Sequence, residues 1–111
     1  MIWKNEPSEF SKAVFHFINS IPKTVANTEI IKQIVRSSGS VGANYIEANE
    51  SLSRKDYAFR VKICRKEAKE TLYWLKLLDV KSDPLLLKQQ ALIKEVTELM
   101  KIFSSILEKM K

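Results

Sequence analysis

Two pairs of carboxylates have the types and spacing best suited to chemistry. Glu47 with Glu50, and Glu67 with Glu70, stand three positions apart in stretches that read as helix, a spacing that puts both side chains of a pair on one face. Two such pairs on neighbouring helices could hold Mg²⁺ for hydrolysis of a nucleotide pyrophosphate. Neither pair lies near the apolar stripe of its own helix, however, and Glu95 with Glu98 repeats the spacing in a third helix, as charged helices do by chance. A Mg²⁺-dependent all-α nucleotide pyrophosphohydrolase using Glu47, Glu50, Glu67 and Glu70 is therefore a second alternative and not the leading reading.

The remaining reactive side chains are few. One Cys cannot form an internal disulfide, and one Cys with one His cannot supply the four ligands of a structural zinc site. A di-iron carboxylate bundle needs Glu-x-x-His on two helices, and the only histidine, His16, has Ala13 three residues before it. Cys64 falls in a heptad stripe, where a small buried thiol is expected, with no His in its segment to act as base. We find no catalytic constellation and expect no enzyme activity, no metal and no cofactor.

Charge is the stronger signal. From Arg54 to Lys76 there are eight basic and three acidic residues, so this stretch holds +5 of the chain's formal +6. On a helical wheel Lys55, Lys62, Lys66, Lys69 and Lys76 share a stripe about 80° wide. A lysine row of this regularity could track phosphates with salt-dependent, sequence-independent affinity. No base-reading aromatic signature of the RNP kind accompanies it, so contact with RNA or DNA would be to backbone or shape. The competing reading is a solvated face in which Lys66 and Glu70 pair at i, i+4.

Helices must position these residues. Of 111 residues only two are glycine and 45% are hydrophobic, which fits one folded domain and disfavours a turn-rich all-β chain or a glycine-rich phosphate loop. Four segments follow, at about 7–21, 28–50, 54–79 and 84–110. The first carries Phe10, Val14, Phe17 and Ile21 and stops at Pro22. The second, capped by Asn27 or Thr28, carries Ile31, Ile34, Ser38, Val41, Tyr45 and Ala48. In the third, Ser53 caps a heptad of Tyr57, Val61, Cys64, Ala68, Thr71, Leu75 and Leu78. The fourth, capped by Asp83 with Pro84 at its first position, carries Leu85, Gln89, Leu92, Val96, Leu99, Phe103, Ile106 and Met110. Short breaks favour antiparallel neighbours, so the expected architecture is an all-α, up-down-up-down four-helix bundle forming one domain over 1–111.

Lys4, Glu6, Glu9 and Lys12 interrupt any apolar leader in the first 20 residues, and no run of about 18 apolar residues occurs. The expectation is a cytoplasmic protein without membrane contact. The third helix also carries a second apolar set, Phe59, Ile63, Tyr73, Trp74 and Leu77, on a different side from its heptad. A second stripe implies an interface; self-association is the economical reading, and cover by the short first helix is the alternative.

On the second helix Gln33, Arg36, Ser37, Ser40, Asn44 and Glu47 recur at steps of three or four, on the side that reads as opposite the apolar stripe. Ser37, Gly39, Ser40 and Gly42 forgo helix propensity, for which close approach of another backbone is one physical reason. The run from Gln33 through Arg36-Ser37-Ser38-Gly39-Ser40-Val41-Gly42-Ala43-Asn44 to Tyr45, then Glu47-Ala48, Asp56-Tyr57 and Lys66-Glu67-Ala68-Lys69-Glu70-Thr71-Leu72-Tyr73-Trp74-Leu75, resembles the bacterial S23 or ribosomal RNA intervening-sequence family, over roughly residues 30–80. The resemblance implies an up-down bundle that assembles as a homopentamer with a proposed link to nucleic acid. A related branch, the accessory protein of diversity-generating retroelements, is a basic pentamer that partners a reverse transcriptase. The family offers no catalytic residues to carry over. Ile46 stands where many relatives have Arg, which weakens a binding role for that position.

The leading expectation is thus a non-enzymatic, homo-oligomeric scaffold or accessory protein, pentameric by resemblance, with nucleic acid held at the lysine face. The first alternative is an adaptor for an unidentified protein partner without nucleic-acid contact.

Overall fold

The computed structural model describes residues 6–111; Met1 to Asn5, with the Lys4 used above, lie outside the described residues. Four helices, α1 (Pro7–Ile18), α2 (Val25–Asn49), α3 (Arg54–Leu77) and α4 (Asp83–Lys109), are joined by short connections. Each of α1 and α3 packs on both α2 and α4, so the four form an up-down ring with α1 and α3 on opposite corners. The stripes predicted from periodicity meet inside. Phe10, Val14, Ile34, Val41, Cys64, Ala68, Leu75, Val96 and Phe103 are fully buried.

The helix ends differ from the expected ones for local reasons. At α1 the helix stops at Ile18 instead of 21, because Pro22 disfavours helical geometry at Ile21; Lys23 Nζ donates to the carbonyls of Ile18 (2.9 Å) and Ile21 (3.1 Å) and satisfies them. Thr24, and neither Asn27 nor Thr28, caps α2, its hydroxyl accepting from the Asn27 N–H at 3.1 Å. Asn27 is engaged elsewhere. Its buried amide donates to the carbonyls of Pro22 and Asp79, and its Oδ1 accepts from the Asp79 N–H at 3.0 Å. Ser53 caps α3 as its sequence suggests. Helix α3 ends at Leu77, and Gln89 Nε2 takes up the free carbonyls of Leu75 (2.8 Å) and Leu78 (3.2 Å). Ser82 instead of Asp83 caps α4, accepting from the Leu85 N–H, so Asp83 and Pro84 both fall inside its first turn.

Of the two glycines, Gly42 marks a close approach. A Cβ there would stand 3.3 Å from Ser11 Oγ and 3.8 Å from the Pro7 carbonyl oxygen, and Ser11 Oγ donates to the Ser38 carbonyl at 2.8 Å. The unusually small middle of α2 thus lets α1 settle onto its backbone. At Gly39 a Cβ would meet only the tip of Phe15, at 3.9 Å.

Candidate nucleic-acid interface

The polar row of α2 does not face away from the core as its spacing suggested. At about 100° per residue the row is centred roughly 120° from the apolar stripe, not 180°, and that flank is where α3 packs. Ser37 is fully buried and hydrogen bonded to Thr71 Oγ1 at 2.7 Å, and Thr71 in turn reaches the Glu67 carbonyl at 2.8 Å. Asn44 bonds back to Ser40 and accepts from Arg60 Nη1 at 3.0 Å. Gln33 Oε1 accepts from Arg36 Nε at 3.3 Å. Of the row, Arg36 and Glu47 are exposed, Arg36 at the edge of the seam and Glu47 beyond it.

Arg36 is the hinge of this seam. Its Nη1 donates to Glu67 Oε2 at 3.2 Å and its Nη2 to Glu70 Oε1. Glu70 also accepts from Trp74 Nε1. The Arg36 hydrogen bond holds the Glu70 carboxyl below its usual range, with the Trp74 bond and the guanidinium charge adding to the effect against some desolvation. Glu67 is buried, contrary to its placement away from the core. Glu70 therefore pairs across helices with Arg36, and the expected i, i+4 pair with Lys66 does not form.

This arrangement scatters the carboxylate pairs. Glu67 and Glu70 are engaged by Arg36, Glu47 and Glu50 are exposed near the far end of α2, and Glu95 with Glu98 lies on α4. Among the described residues, no group of three or more His, Cys, Asp and Glu gathers where it could hold a metal ion. Cys64 is fully buried against the Val41 carbonyl, and burial pushes its thiol up to about 12. Since the thiolate is the reactive form, Cys64 is expected to resist a thiol reagent at pH 8 in the folded protein and to react fully once denatured; rapid labelling of the native protein would contradict this.

The lysines take the adjacent outer side of α3, centred about 110° round the helix from Glu67 and Glu70, with Lys66 and Lys69 bordering the same groove as those carboxylates. Lys55, Lys62, Lys66, Lys69 and Lys76 are all exposed, and none of them joins the ion pairs formed among the described residues. Because the acidic side chains of the helix interior turn to α2, the outer face is left basic. Of the second apolar set, Phe59 (59% exposed), Tyr73 (56%) and Leu77 (47%) lie open on this same face. Ile63 and Trp74 are half-buried, and Trp74 packs against the core. Cover by α1 does not occur, since α1 packs only on α2 and α4.

Sequence reading missed one further surface. Phe15 on α1 and Val35 and Ile46 on α2 are exposed at 40–56%, and neighbouring Gly39 and Ala43 are also uncharged. The signal was present as a third set of positions on α2, hidden because its Gly and Ala members do not read as hydrophobic. No helix among the described residues is long and apolar enough to cross a membrane.

Comparison with known proteins agrees with this fold. The family model described as 23S rRNA-intervening sequence protein matches residues 1–105. A solved structure of a protein of unknown function from the S23 ribosomal protein family of Bacteroides thetaiotaomicron VPI-5482 is 31% identical, covering 91% of this chain and 94% of that one with a TM-score of 0.76. No curated protein matches the chain.

Proposed function

From the premise that this chain belongs to the 23S rRNA-intervening sequence protein family, we propose that it is a non-enzymatic, homo-oligomeric accessory protein of the cytoplasm that binds nucleic acid through phosphate contacts on α3. The observation that carries this reading is the sorting of charge on that helix. Glu67 and Glu70 are drawn to Arg36, while five exposed lysines without ion pairs line the adjacent outer face. A polyanion neutralises such a row without any demand on base identity.

Self-association suits the α1–α2 surface of Phe15, Val35, Gly39 and Ile46, with Lys32 and Glu50 only at its borders, better than the second apolar set of α3, whose exposed rings stand among lysines. On α3 the lysines between Phe59 and Tyr73 would have to be desolvated within the contact, and interface cores are depleted of lysine. The family resemblance favours five copies, which would repeat the basic face around the particle.

The test is titration of fluorescent RNA and DNA at two salt concentrations, with absolute mass by light scattering on the same sample. If five lysines each neutralise a phosphate, the log–log salt slope on duplex is about −4.5, and affinity falls about 500-fold from ~50 to ~200 mM. Replacing Lys66 and Lys69 by Ala should reduce the slope by about 2. A stable oligomer that binds no nucleic acid at low salt would overturn the reading and favour a protein-binding adaptor.

A further inference from the structure

The lysines and the exposed rings of α3 form one repeated pattern. Phe59 has Lys55 four residues before it and Lys62 three after; Tyr73 has Lys69 four before and Lys76 three after; and Lys66 stands seven residues from each ring. Steps of three, four and seven keep all seven side chains on one helical face. The two rings lie ~21 Å apart along the axis at 1.5 Å per residue. Each is thus an exposed aromatic face framed by two cations one turn away.

The rings are also held. Tyr73 meets the half-buried Trp74 edge-on, with centroids 5.0 Å apart at 67°, and Trp74 is fixed through Glu70 to Arg36. The Phe59 ring has the Arg60 guanidinium 5.9 Å from its centroid, and Arg60 is fixed by Asn44. Beside Tyr73 an open groove of about 600 Å³ is lined by Arg36, Lys66 and Lys69 together with Glu67 and Glu70, the two carboxylates that Arg36 engages.

We propose that this face selects single-stranded nucleic acid, with Tyr73 and Phe59 stacking on unpaired bases and the framing lysines taking the adjacent phosphates. The inference rests on the phosphate-binding reading above and adds its substrate class. In a duplex, base faces are covered by their neighbours, and a ring on a helix surface has nothing to stack on. In a single strand every base offers a π-face, so stacking between cations gives affinity without sequence preference.

The experiment compares mixed-sequence RNA and DNA of about 15 nucleotides, single-stranded and as blunt duplexes, on the full chain. Single strands should bind more tightly than duplexes. Tyr73→Ala should weaken single-strand binding by about 5- to 150-fold, the range base–aromatic stacking supports, while duplex affinity and solution mass stay unchanged. Tyr73→Phe should keep the wild-type affinity and Tyr73→Leu should not, which separates a stacking ring from a merely apolar contact. Equal binding of single strands and duplexes, with Tyr73→Ala neutral, would overturn the inference and leave phosphate binding standing. No binding of either by the wild type would overturn both. A change in mass on Tyr73→Ala would assign the ring to a subunit contact and overturn the inference alone.

Discussion

Arg36→Ala is expected to destabilise the protein by about 2–3 kcal/mol, because it leaves the buried Glu67 carboxylate without its cation. The Arg36 side chain is 50% exposed while that of Glu67 is 9% exposed. The loss therefore comes mainly from the uncompensated carboxylate, and the Coulomb energy of the pair itself is small. Two controls follow. Arg36→Ala combined with Glu67→Gln should recover most of the loss, since a neutral amide in that site is less costly to leave unpaired. Arg36→Lys should recover only part, because one ammonium cannot reproduce the fork that reaches Glu67, Glu70 and Gln33 together. Denaturant titrations should show a lower midpoint with an unchanged slope; no shift in midpoint would contradict the role given to the seam.

The same bonds set a pH dependence. The folded Glu70 carboxyl titrates below its ordinary value of 4.5 because Arg36 and Trp74 hydrogen bond to its ionised form. The stability this contributes is fully present above 4.5 and is lost as pH falls through the lower folded value. The difference between wild type and Arg36→Ala should therefore be constant near neutrality and shrink in that acid window.

Asn27→Ala should cost about 2–3 kcal/mol, by a different route. Asn27 is 1% exposed and makes three hydrogen bonds, to the carbonyls of Pro22 and Asp79 and from the Asp79 N–H. Alanine leaves these backbone groups without their partner beneath the surface, and each is expensive to orphan. It also removes the polar tie between the α1–α2 and α3–α4 connections at that end of the bundle. For a domain of this size the expected fall in Tm is about 10–20 °C, and amide exchange should accelerate first around 19–24 and 78–82. Asn27→Asp tests the geometry, since it keeps an acceptor for the Asp79 N–H but loses both donors; it should rescue little. A midpoint within a few degrees of wild type for Asn27→Ala would show that the connections hold without this side chain.

The bundle was legible in the sequence because burial follows periodicity. Val61, Cys64, Ala68, Thr71, Leu75 and Leu78 stand at alternating steps of three and four, and the structure buries all of them. Scarce glycine and short breaks left one reasonable way to join four such stripes. The family was legible too, since the small run from Arg36 to Asn44 is too unusual for a generic helix. Within that run one physical cause also held: Gly42 is small because α1 lies against it.

Other features depended on partners far apart in the chain. Thr24 and Ser82 displaced Asn27 and Asp83 as caps, and the first of these shifts follows from Asn27 being claimed by Asp79, 52 positions away. Glu67 and Glu70 read as a possible metal pair, and Glu70 as a surface partner of Lys66, until α2 brought Arg36 against them. A helical wheel gives the direction of each side chain about its own axis but not which neighbour lies there, so a polar flank and a solvent face look alike. The row of lysines was evident from composition and spacing alone. That its acidic companions turn inward, leaving Phe59 and Tyr73 exposed among the lysines, was decided by the packing of α2 on α3, because only that contact determines where each carboxylate finds its cation.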